Sequence, residues 1–454
     1  MRNEDVSTTR GERASQRSLR RPQQQSSPGR LSSVQRRLYR LFICLASVAL
    51  SAKVIALLSA CSAINSQVAD TKPMPFSAYQ QATYAQLLAG RKFQTDEPQS
   101  ELAWNSPQEW RPHEFDAGTK PTKGILLVHG LGDSPWSFND VAKQLAMQGF
   151  LVRTVLLPGH GTHPEDLLEV TVEQWRQVVR SQAAALQRDV QQVFLGGFST
   201  GANLVLEYAY ANPDIAGLVL FSPGFRSSSS LDWLTPLVAW FRPWLLSPDG
   251  RMPMQNSVRY VMTPTNGFAQ FYRSSRAAQG LLRSRPYEKP VFMVVSQHDS
   301  VLDTNYLLDV FQRRFVHPAS RMVWYGDTPV GLTDTSRVLV RADRLPEMRI
   351  SQFSHMGVLF SPANPLYGIE GSLRFCWNGQ DQQSTQACRQ GASVWYSDWG
   401  YREDGKVHAR LTFNPYFDWQ ASVMADVLGN RGSRQVTQPR VLAISHPSSL
   451  ESQP

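Results

Sequence analysis

Ser199 occupies the centre of a Gly-x-Ser-x-Gly motif, Gly197-Phe198-Ser199-Thr200-Gly201. An apolar stretch that begins at Val193 precedes the motif, and a segment with helical character follows it. A chain that reverses from strand to helix within a few residues strains the residue at the apex, and its flanks must be nearly free of side chains. A serine at that apex presents its hydroxyl group for nucleophilic attack. The motif alone also fits an ordinary glycine-rich turn, so the partners of Ser199 decide between the two interpretations.

A serine hydroxyl is a weak nucleophile at neutral pH and needs a base, usually histidine, that a carboxylate orients. Asp299 follows a predicted strand over residues 290–295, and His355 follows a predicted strand over residues 348–352. Loops beyond the carboxyl ends of parallel strands meet at one edge of a sheet. The order serine, acid, histidine is the one expected for this arrangement. Asp303 is an alternative acid, although we expect it to cap the following helix.

A third loop supplies candidate hydrogen-bond donors for the reaction. The turn His129-Gly130-Leu131-Gly132 follows a strongly apolar segment, and its glycines allow the backbone to approach a substrate closely. The N–H groups of Leu131 and Thr200 are the predicted oxyanion donors, each contributing about 2.7 to 4 kcal/mol of transition-state stabilisation. His129 and His160 stand in glycine turns, where we expect them to hold loops by hydrogen bonds rather than to act as bases.

The elements that would carry these residues alternate between strand and helix along the chain. Buried strands are predicted for residues 124–128, 151–156, 192–196, 217–221, 290–295, 321–325 and 348–352. Helices are predicted for residues 76–93, 137–148, 171–186, 200–211, 303–315 and 415–428, and a loop for residues 104–112. This alternation predicts an α/β fold with a doubly wound, mostly parallel sheet.

Two insertions interrupt the alternation. Residues 226–285 are rich in tryptophan, phenylalanine and leucine and contain no clear strand, which indicates a helical cap over the active face. Ordinary core packing of two extra helices is the alternative. Residues 367–412 form a second, C-terminal insertion with an alternating stretch at residues 393–396. A polar stretch at residues 326–347 separates the last two predicted strands.

The first 60 residues differ from the rest of the chain. Residues 1–40 are rich in arginine, serine and glutamine, and residues 41–60 form an apolar run with a single charge, Lys53. A basic flank, an apolar run and small residues before a cut site are typical of a secretory signal. Leu58-Ser59-Ala60-Cys61 resembles the lipobox of bacterial lipoproteins, whose cysteine is acylated. A single anchoring helix is the alternative, although Lys53 would cost it about 2.5 to 3.5 kcal/mol.

These features divide the chain into four predicted parts. Residues 1–60 are a signal segment, and residues 61–121 are a tether with an N-terminal helix. Residues 122–430 are the main domain, which contains both insertions, and residues 431–454 are a disordered tail.

The net charge of +9 is concentrated at the front of the chain. Residues 1–60 carry 11 basic and 3 acidic side chains, so the remainder is close to neutral. Because no basic stripe with interleaved aromatic residues occurs later, we predict no nucleic-acid partner.

The chain contains four cysteines, of which Cys44 and Cys61 belong to the leader region. In an oxidising periplasm, Cys376 and Cys388 are predicted to form a disulfide that contributes about 2 to 3 kcal/mol. Two free buried thiols are the alternative. No Cys-x-x-Cys or His-Glu-x-x-His motif occurs in the sequence, so we predict neither a metal site nor another cofactor.

Five short motifs follow the predicted strands: Val128-His129-Gly130-Leu131-Gly132, Pro158-Gly159-His160-Gly161, Gly197-Phe198-Ser199-Thr200-Gly201, Gln297-His298-Asp299 and Ser354-His355-Met356-Gly357-Val358. Together they resemble the α/β-hydrolase superfamily, and most closely its carboxylesterase and monoacylglycerol-lipase branch, also known as the serine aminopeptidase group. The resemblance covers residues 122–360 and the last predicted helix. It implies a triad of Ser199 as nucleophile, Asp299 as acid and His355 as base. It also implies that Leu131 and Thr200 are the oxyanion donors.

The resemblance implies a serine hydrolase that cleaves carboxylic esters, with a lipid or other small ester as substrate. An amidase or aminopeptidase would use the same triad, and a non-catalytic lipid-binding protein would retain the fold alone. A lipid anchor at Cys61 would place the protein on the periplasmic face of a bacterial envelope. Ser62, rather than aspartate, after this cysteine favours the outer membrane by resemblance to lipoprotein sorting.

Overall fold

The computed structural model describes residues 74–112, 120–248, 250 and 253–429. The strands of its main sheet are β1 (Glu109–Trp110), β2 (Lys123–Val128), β3 (Phe150–Val155), β4 (Gln192–Phe198), β5 (Ile215–Phe221), β6 (Val291–Ser296), β7 (Arg321–Tyr325) and β8 (Val338–Arg341). Their order across the sheet is β1-β3-β2-β4-β5-β6-β7-β8. β1 runs antiparallel to β3, and the other neighbouring pairs are parallel. The predicted α/β fold with a mostly parallel sheet is confirmed.

The helices that surround the sheet follow the predicted alternation. They are α1 (Phe76–Gly90), α2 (Pro98–Asn105), α3 (Asn139–Met147), α4 (Val172–Asp189), α5 (Thr200–Ala211), α6 (Thr235–Val238), α7 (Thr265–Ser284), α8 (Thr304–Arg314), α9 (Gln382–Arg389) and α10 (Phe417–Val427). Of these, α2 and α9 have no counterpart among the predicted helices, and α6 and α7 lie in the predicted cap.

Both faces of the sheet are buried, because successive side chains of a strand point to opposite sides. In β2, Leu126 and Val128 belong to a core that includes side chains of α4, α5, α7 and α8. Ile125 and Leu127 belong to a second core, which includes side chains of α3 and α10. This double burial explains why β2 is a continuous apolar run rather than an alternating one.

The strand predicted at residues 348–352 is wrong. Pro346–Met348 forms a 3₁₀ turn, and Arg349 has a left-handed φ of 53° that interrupts an extended chain. The last strand is instead β8, which lies inside the stretch predicted as a polar insertion and pairs in parallel with β7. β8 is short, and Leu339, Val340 and Arg341 are only half-buried, so its sequence lacks the long apolar run of a central strand.

The loop predicted at residues 104–112 is also wrong in part. α2 continues to Asn105, and β1 forms a two-residue antiparallel pairing with β3, in which Glu109 lies opposite Arg153. The Arg153 guanidinium donates to Glu109 at 2.7 Å. A strand of two residues is too short to produce a detectable hydrophobic period, which explains why the pattern did not indicate it.

Residues 226–285 carry α6 and α7 and contribute no strand to the main sheet within the described range. α7 is buried along one face, where Ala278 and Leu282 join the core shared with α4 and α5. The segment before α7 is different, because large apolar side chains there are more than half exposed. They are Leu231, Trp233, Leu237, Trp240, Phe241 and Leu246. The predicted cap is therefore a helical segment with an exposed apolar front part and a second part that packs into the core.

The C-terminal insertion contains α9 and a small parallel sheet of two strands, β9 (Trp395–Ser397) and β10 (His408–Arg410). The disulfide predicted between Cys376 and Cys388 is confirmed. Both cysteines are buried in a small apolar cluster with Val394 and Ala409. The insertion thus has its own core and its own covalent link.

Several predictions concern residues outside the described part of the chain. These are the signal segment at residues 1–60, the acylated Cys61, most of the tether and the tail from residue 431. Among the helices that the structure describes, none has the length and apolar character needed to span a bilayer.

Candidate active site

Ser199 lies at the turn between β4 and α5, with φ 52° and ψ −115°. A residue other than glycine with positive φ is strained and persists only where its surroundings fix the backbone. Two hydrogen bonds do so here. Ser199 N donates to Phe221 O at 3.0 Å, and Gly224 N donates to Ser199 O at 3.0 Å. Both partners lie at or just beyond the end of β5, so the neighbouring strand holds the serine in its strained conformation.

Close packing requires the two glycines of the Ser199 motif. A Cβ atom on Gly197 would lie 2.4 Å from Ala202 N, and one on Gly201 would lie 1.9 Å from Val128 O. Contacts this short do not occur between non-bonded atoms. The turn can therefore bring β4, α5 and β2 together only if both flanks of the serine lack side chains.

Asp299 and His355 come from different parts of the chain and meet at the carboxyl end of the sheet. His355 Nδ1 donates to Asp299 Oδ2 at 2.6 Å. Asp299 Oδ1 accepts from Val301 N at 2.9 Å and from Leu302 N at 3.1 Å, and the carboxylate is fully buried. With Nδ1 engaged as donor to a carboxylate, Nε2 is the ring nitrogen left to accept a proton.

Contacts on the other side of His355 bring it to the neighbourhood of Ser199. The imidazole ring lies against the ring of Phe198, the residue before the serine, with 4.9 Å between ring centroids. Ser222 Oγ donates to the His355 carbonyl oxygen at 3.0 Å. Ser222 directly follows β5 and has a positive φ of 39°. The ends of β4, β5 and β6 therefore all contribute to the position of this histidine.

His129 and His160 hold the loop that contains Leu131. Leu157 N donates to His129 Nε2, and Gly132 N donates to His160 Nε2, each at 3.0 Å. Burial lowers the pKa of His129 well below its ordinary value and lowers the pKa of His160 to about 4, so both rings are neutral acceptors at pH 7. The interpretation that they hold loops by hydrogen bonds is confirmed.

The two predicted oxyanion donors belong to segments that lie next to Ser199. Thr200 is the first residue of α5, where backbone N–H groups have no partner within the helix. Leu131 lies in the loop after β2, whose Gly130 is adjacent to the serine: a Cβ atom on Gly130 would lie 3.2 Å from Ser199 Cβ. The loop just before Leu131 and the start of α5 are thus both next to the serine.

An ion pair between a buried carboxylate and a half-buried arginine lies at the same loop. Asp133 Oδ1 is 3.4 Å from Arg259 Nε, and a Cβ atom on Gly130 would lie 3.1 Å from Asp133 Oδ2. Burial raises the pKa of Asp133, while the positive charge of Arg259 opposes the shift. Gly130 therefore has the Asp133 carboxylate and the Ser199 side chain as close neighbours.

The sequence is similar to those of known proteins. Residues 119–313 match the family model described as serine aminopeptidase, S33. Over 192 residues the chain is 38% identical to a thermostable monoacylglycerol lipase from Bacillus sp. strain H-257, and this match spans 42% of the chain and 75% of that protein. The chain belongs to the α/β-hydrolase superfamily.

Two further proteins resemble this α/β-hydrolase more distantly. A carboxylesterase from Bacillus subtilis strain 168 is 22% identical over 243 residues, which are 51% of this chain and 94% of that protein. A solved structure of a soluble variant of monoglyceride lipase from Saccharomyces cerevisiae is 15% identical, with a TM-score of 0.37 over 48% of this chain and 82% of that one.

The structure distinguishes between the two acids considered for this α/β-hydrolase. Asp303 caps α8, as expected, because its side chain accepts from Tyr306 N at 3.0 Å. Asp299 is the acid that contacts His355. His355 does not directly follow a strand, however, because the turn at Pro346–Met348 and residues 349–354 separate it from β8.

Two buried carboxylates near the site were not predicted. Asp133 directly follows the first motif of the α/β-hydrolase, and its position next to Gly132 was the signal that the sequence offered. Asp398 lies in the C-terminal insertion and accepts a hydrogen bond from Ser300 N, next to Asp299. The superfamily motifs do not include that insertion, so the sequence offered no signal for Asp398.

Proposed function

We propose that this protein is a serine esterase in which Ser199 attacks the carbonyl carbon of a carboxylic ester. The observation that carries the proposal is the 2.6 Å hydrogen bond from His355 Nδ1 to Asp299 Oδ2, beside a serine held in a strained turn. This bond leaves His355 Nε2 as the base for the serine hydroxyl. The Asp299 carboxylate then stabilises the imidazolium that forms.

The reaction proceeds in two halves. In the first, His355 takes the proton of Ser199 Oγ, the acyl–enzyme bond forms, and the same proton passes to the alcohol that leaves. In the second, water gives a proton to His355 and attacks the acyl carbon, the bond from that carbon to Ser199 Oγ breaks, the carboxylic acid leaves, and His355 returns the proton to Ser199 Oγ. The N–H groups of Leu131 and Thr200 hold the negatively charged carbonyl oxygen, and each donor contributes about 2.7 to 4 kcal/mol.

The apolar front part of the cap supports the proposal that the substrate is an ester with an apolar acyl chain. Large apolar side chains, among them Trp233, Leu237 and Phe241, are more than half exposed there. Such a surface suits contact with lipid. The relative from Bacillus sp. strain H-257 is a monoacylglycerol lipase, and we infer a monoacylglycerol or similar single-chain ester as the substrate class.

An aminopeptidase is the second candidate, because the buried Asp133 carboxylate close to Ser199 offers a partner for the ammonium group of a peptide. Arg259 already lies 3.4 Å from that carboxylate, however, and offsets its charge. An uncharged ester therefore suits the site better than a cationic peptide terminus.

We further propose that Cys61 is acylated and that the mature enzyme is anchored to the periplasmic face of a bacterial envelope, at the outer membrane. The motif Leu58-Ser59-Ala60-Cys61 after an apolar run supports this proposal. Labelled palmitate fed to expressing cells should enter the wild-type protein and not Cys61→Ala. Equal labelling of both proteins would exclude this anchor.

A substrate panel tests the proposed activity. Purified wild-type protein, Ser199→Ala and the control Ser284→Ala, at the exposed end of α7, are assayed with p-nitrophenyl esters of increasing chain length and with aminoacyl p-nitroanilides. We expect ester turnover by the wild type and the control, and a loss of at least about 10³-fold in Ser199→Ala. Faster turnover of the anilides would favour the aminopeptidase, and ester turnover by Ser199→Ala would exclude the proposal.

A further inference from the structure

The C-terminal insertion reaches the loop that carries Asp299. Asp398, directly after β9, is 1% exposed, and its Oδ2 accepts a hydrogen bond from Ser300 N. The N–H groups of Val301 and Leu302 both point at Asp299 Oδ1. Ser300 N–H is directed to the insertion instead. Of the three N–H groups that directly follow Asp299, its carboxylate therefore accepts from two and Asp398 accepts from the third.

Asp398 is fixed by its own surroundings. Asn378 Nδ2 donates to the Asp398 carbonyl oxygen at 3.0 Å and to Ser397 Oγ at 2.9 Å. Asn378 Oδ1 accepts from Arg410 Nε at 2.8 Å. Cys376, which forms the disulfide with Cys388, lies two residues before Asn378, so a covalent link, an amide and a small sheet support the backbone at Asp398.

The electrostatics of Asp398 are costly for a group with only a structural role. Burial raises its pKa, the neighbouring Asp299 raises it further, and the positive charge of Arg410 opposes both effects. Burial lowers the pKa of Arg410 to about 10, so it remains a cation at neutral pH. Asp398 Oδ1 is buried and has no hydrogen-bond partner among the residues that the structure describes. A buried carboxylate oxygen without a partner destabilises a fold.

We propose that Asp398, with Arg410 as its counter-charge, is a positioning residue that fixes the Ser300 backbone and thereby the Asp299 carboxylate beneath His355. The inference rests on the proposed function, because it assigns a role in the same hydrolytic site. It makes the insertion part of the catalytic apparatus of this chain. Misplacement of a catalytic group by about 1 Å costs on the order of 100-fold in rate, which sets the scale of the expected effect.

Asp398→Ala tests the proposal, because alanine has no side-chain acceptor for Ser300 N, and Asp381→Ala is its matched control. Asp381 lies in the same insertion, where it accepts from Ser384 N at 2.8 Å at the start of α9 rather than from the turn after Asp299. Fluorophosphonate titration counts the reactive serines, and p-nitrophenyl butyrate gives kcat per titrated site and KM. We expect Asp398→Ala to lower kcat per site about 10- to 100-fold with KM within about two-fold of wild type. Asp381→Ala should leave both unchanged.

A second variant covers the case in which Asp398→Ala does not fold. Asp398→Asn keeps the size of the side chain and an amide oxygen that can accept from Ser300 N, and it leaves the bond from Arg410 Nε to Asn378 Oδ1 in place. We expect Asp398→Asn to fold and to keep kcat per titrated site within about three-fold of wild type. Wild-type kcat per site in folded Asp398→Ala, or a loss of about 10-fold or more in Asp398→Asn, would overturn the inference and leave the proposed function intact. A wild-type protein that neither reacts with the fluorophosphonate nor cleaves esters would overturn both.

Discussion

Asp299 and Asp303 lie on the same loop and hold different partners: Asp299 accepts from His355 Nδ1 at 2.6 Å, whereas Asp303 accepts from Tyr306 N at 3.0 Å. Both carboxylates follow β6 and precede α8, and only Asp299 belongs to the motif Gln297-His298-Asp299. Their contacts assign one to the histidine and the other to the end of a helix. The pair therefore provides a matched comparison for the role of the acid.

Asp299→Asn should lower kcat for a p-nitrophenyl ester by about 10⁴-fold, because asparagine cannot hold the His355 tautomer or stabilise the imidazolium. Asp303→Asn should leave kcat within about two-fold, since asparagine caps helices as well as aspartate does. Steady-state kinetics with both purified variants checks this. Comparable losses in the two variants would contradict the assignment of the acid.

Gly201→Ala should prevent folding, because its Cβ would lie 1.9 Å from Val128 O, where backbone atoms cannot yield. Gly280→Ala is the control, since a Cβ there meets no atom within 4 Å and the residue lies inside α7. Alanine should stabilise that helix by roughly 0.5 to 1 kcal/mol. Soluble yield and thermal unfolding measure both effects. A folded Gly201→Ala protein with wild-type melting temperature would show that the turn is not as tightly packed as described.

Glu101→Gln should destabilise the protein by about 3 to 5 kcal/mol, because it leaves the Arg91 guanidinium buried without its counter-charge. Arg91 Nη2 lies 2.8 Å from Glu101 Oε2 and also donates to Ser257 O, which connects the N-terminal helices to the cap segment. The control Glu173→Gln breaks an exposed pair with Arg180 and should cost less than about 1 kcal/mol. Urea unfolding gives the free energy of unfolding of both variants. Equal losses of stability would argue against a buried ion pair between Arg91 and Glu101.

The neutral His160 should make stability depend on pH. Its folded pKa of about 4 lies below the ordinary value of 6.5, so protons bind the unfolded chain more tightly. The stabilisation, on the order of 3 kcal/mol, is fully present above pH 6.5 and is lost as pH falls towards 4. In His160→Gln, whose amide oxygen can still accept from Gly132 N, this part of the pH dependence should disappear. Melting temperatures of the wild type and of His160→Gln, measured from pH 7 to pH 4, test this prediction. Parallel curves of melting temperature against pH for the two proteins would disprove it.

The central strands were predictable because burial on both faces leaves a continuous apolar run, as in Leu126, Leu127 and Val128. The edges were not. β1 has two residues, and Leu339, Val340 and Arg341 of β8 are half-buried, so neither has such a run. Residues 348–352 look extended in sequence, but the left-handed Arg349 interrupts them.

The sequence predicted the candidate site residues that stand in short local motifs. It did not predict residues that only tertiary contacts bring to the site. Ser199, Asp299 and His355 stand in short motifs at the ends of predicted strands. The contact of Asp398 with Ser300 joins two loops that are distant in sequence, and no local pattern encodes it. The conformational strain of Ser199 was expected from its flanking glycines, whereas the hydrogen bonds from β5 that maintain it became visible only in the fold.

Covalent labelling tests the central claim most directly. A fluorophosphonate probe is added to wild-type protein, Ser199→Ala and His355→Gln, and peptide mass spectrometry locates the adduct. We expect one adduct on Ser199 in the wild type, none in Ser199→Ala, and labelling of His355→Gln slowed by at least about 10³-fold, because the serine has lost its base. An adduct on another residue of the wild type, or labelling that persists in Ser199→Ala, would contradict the account.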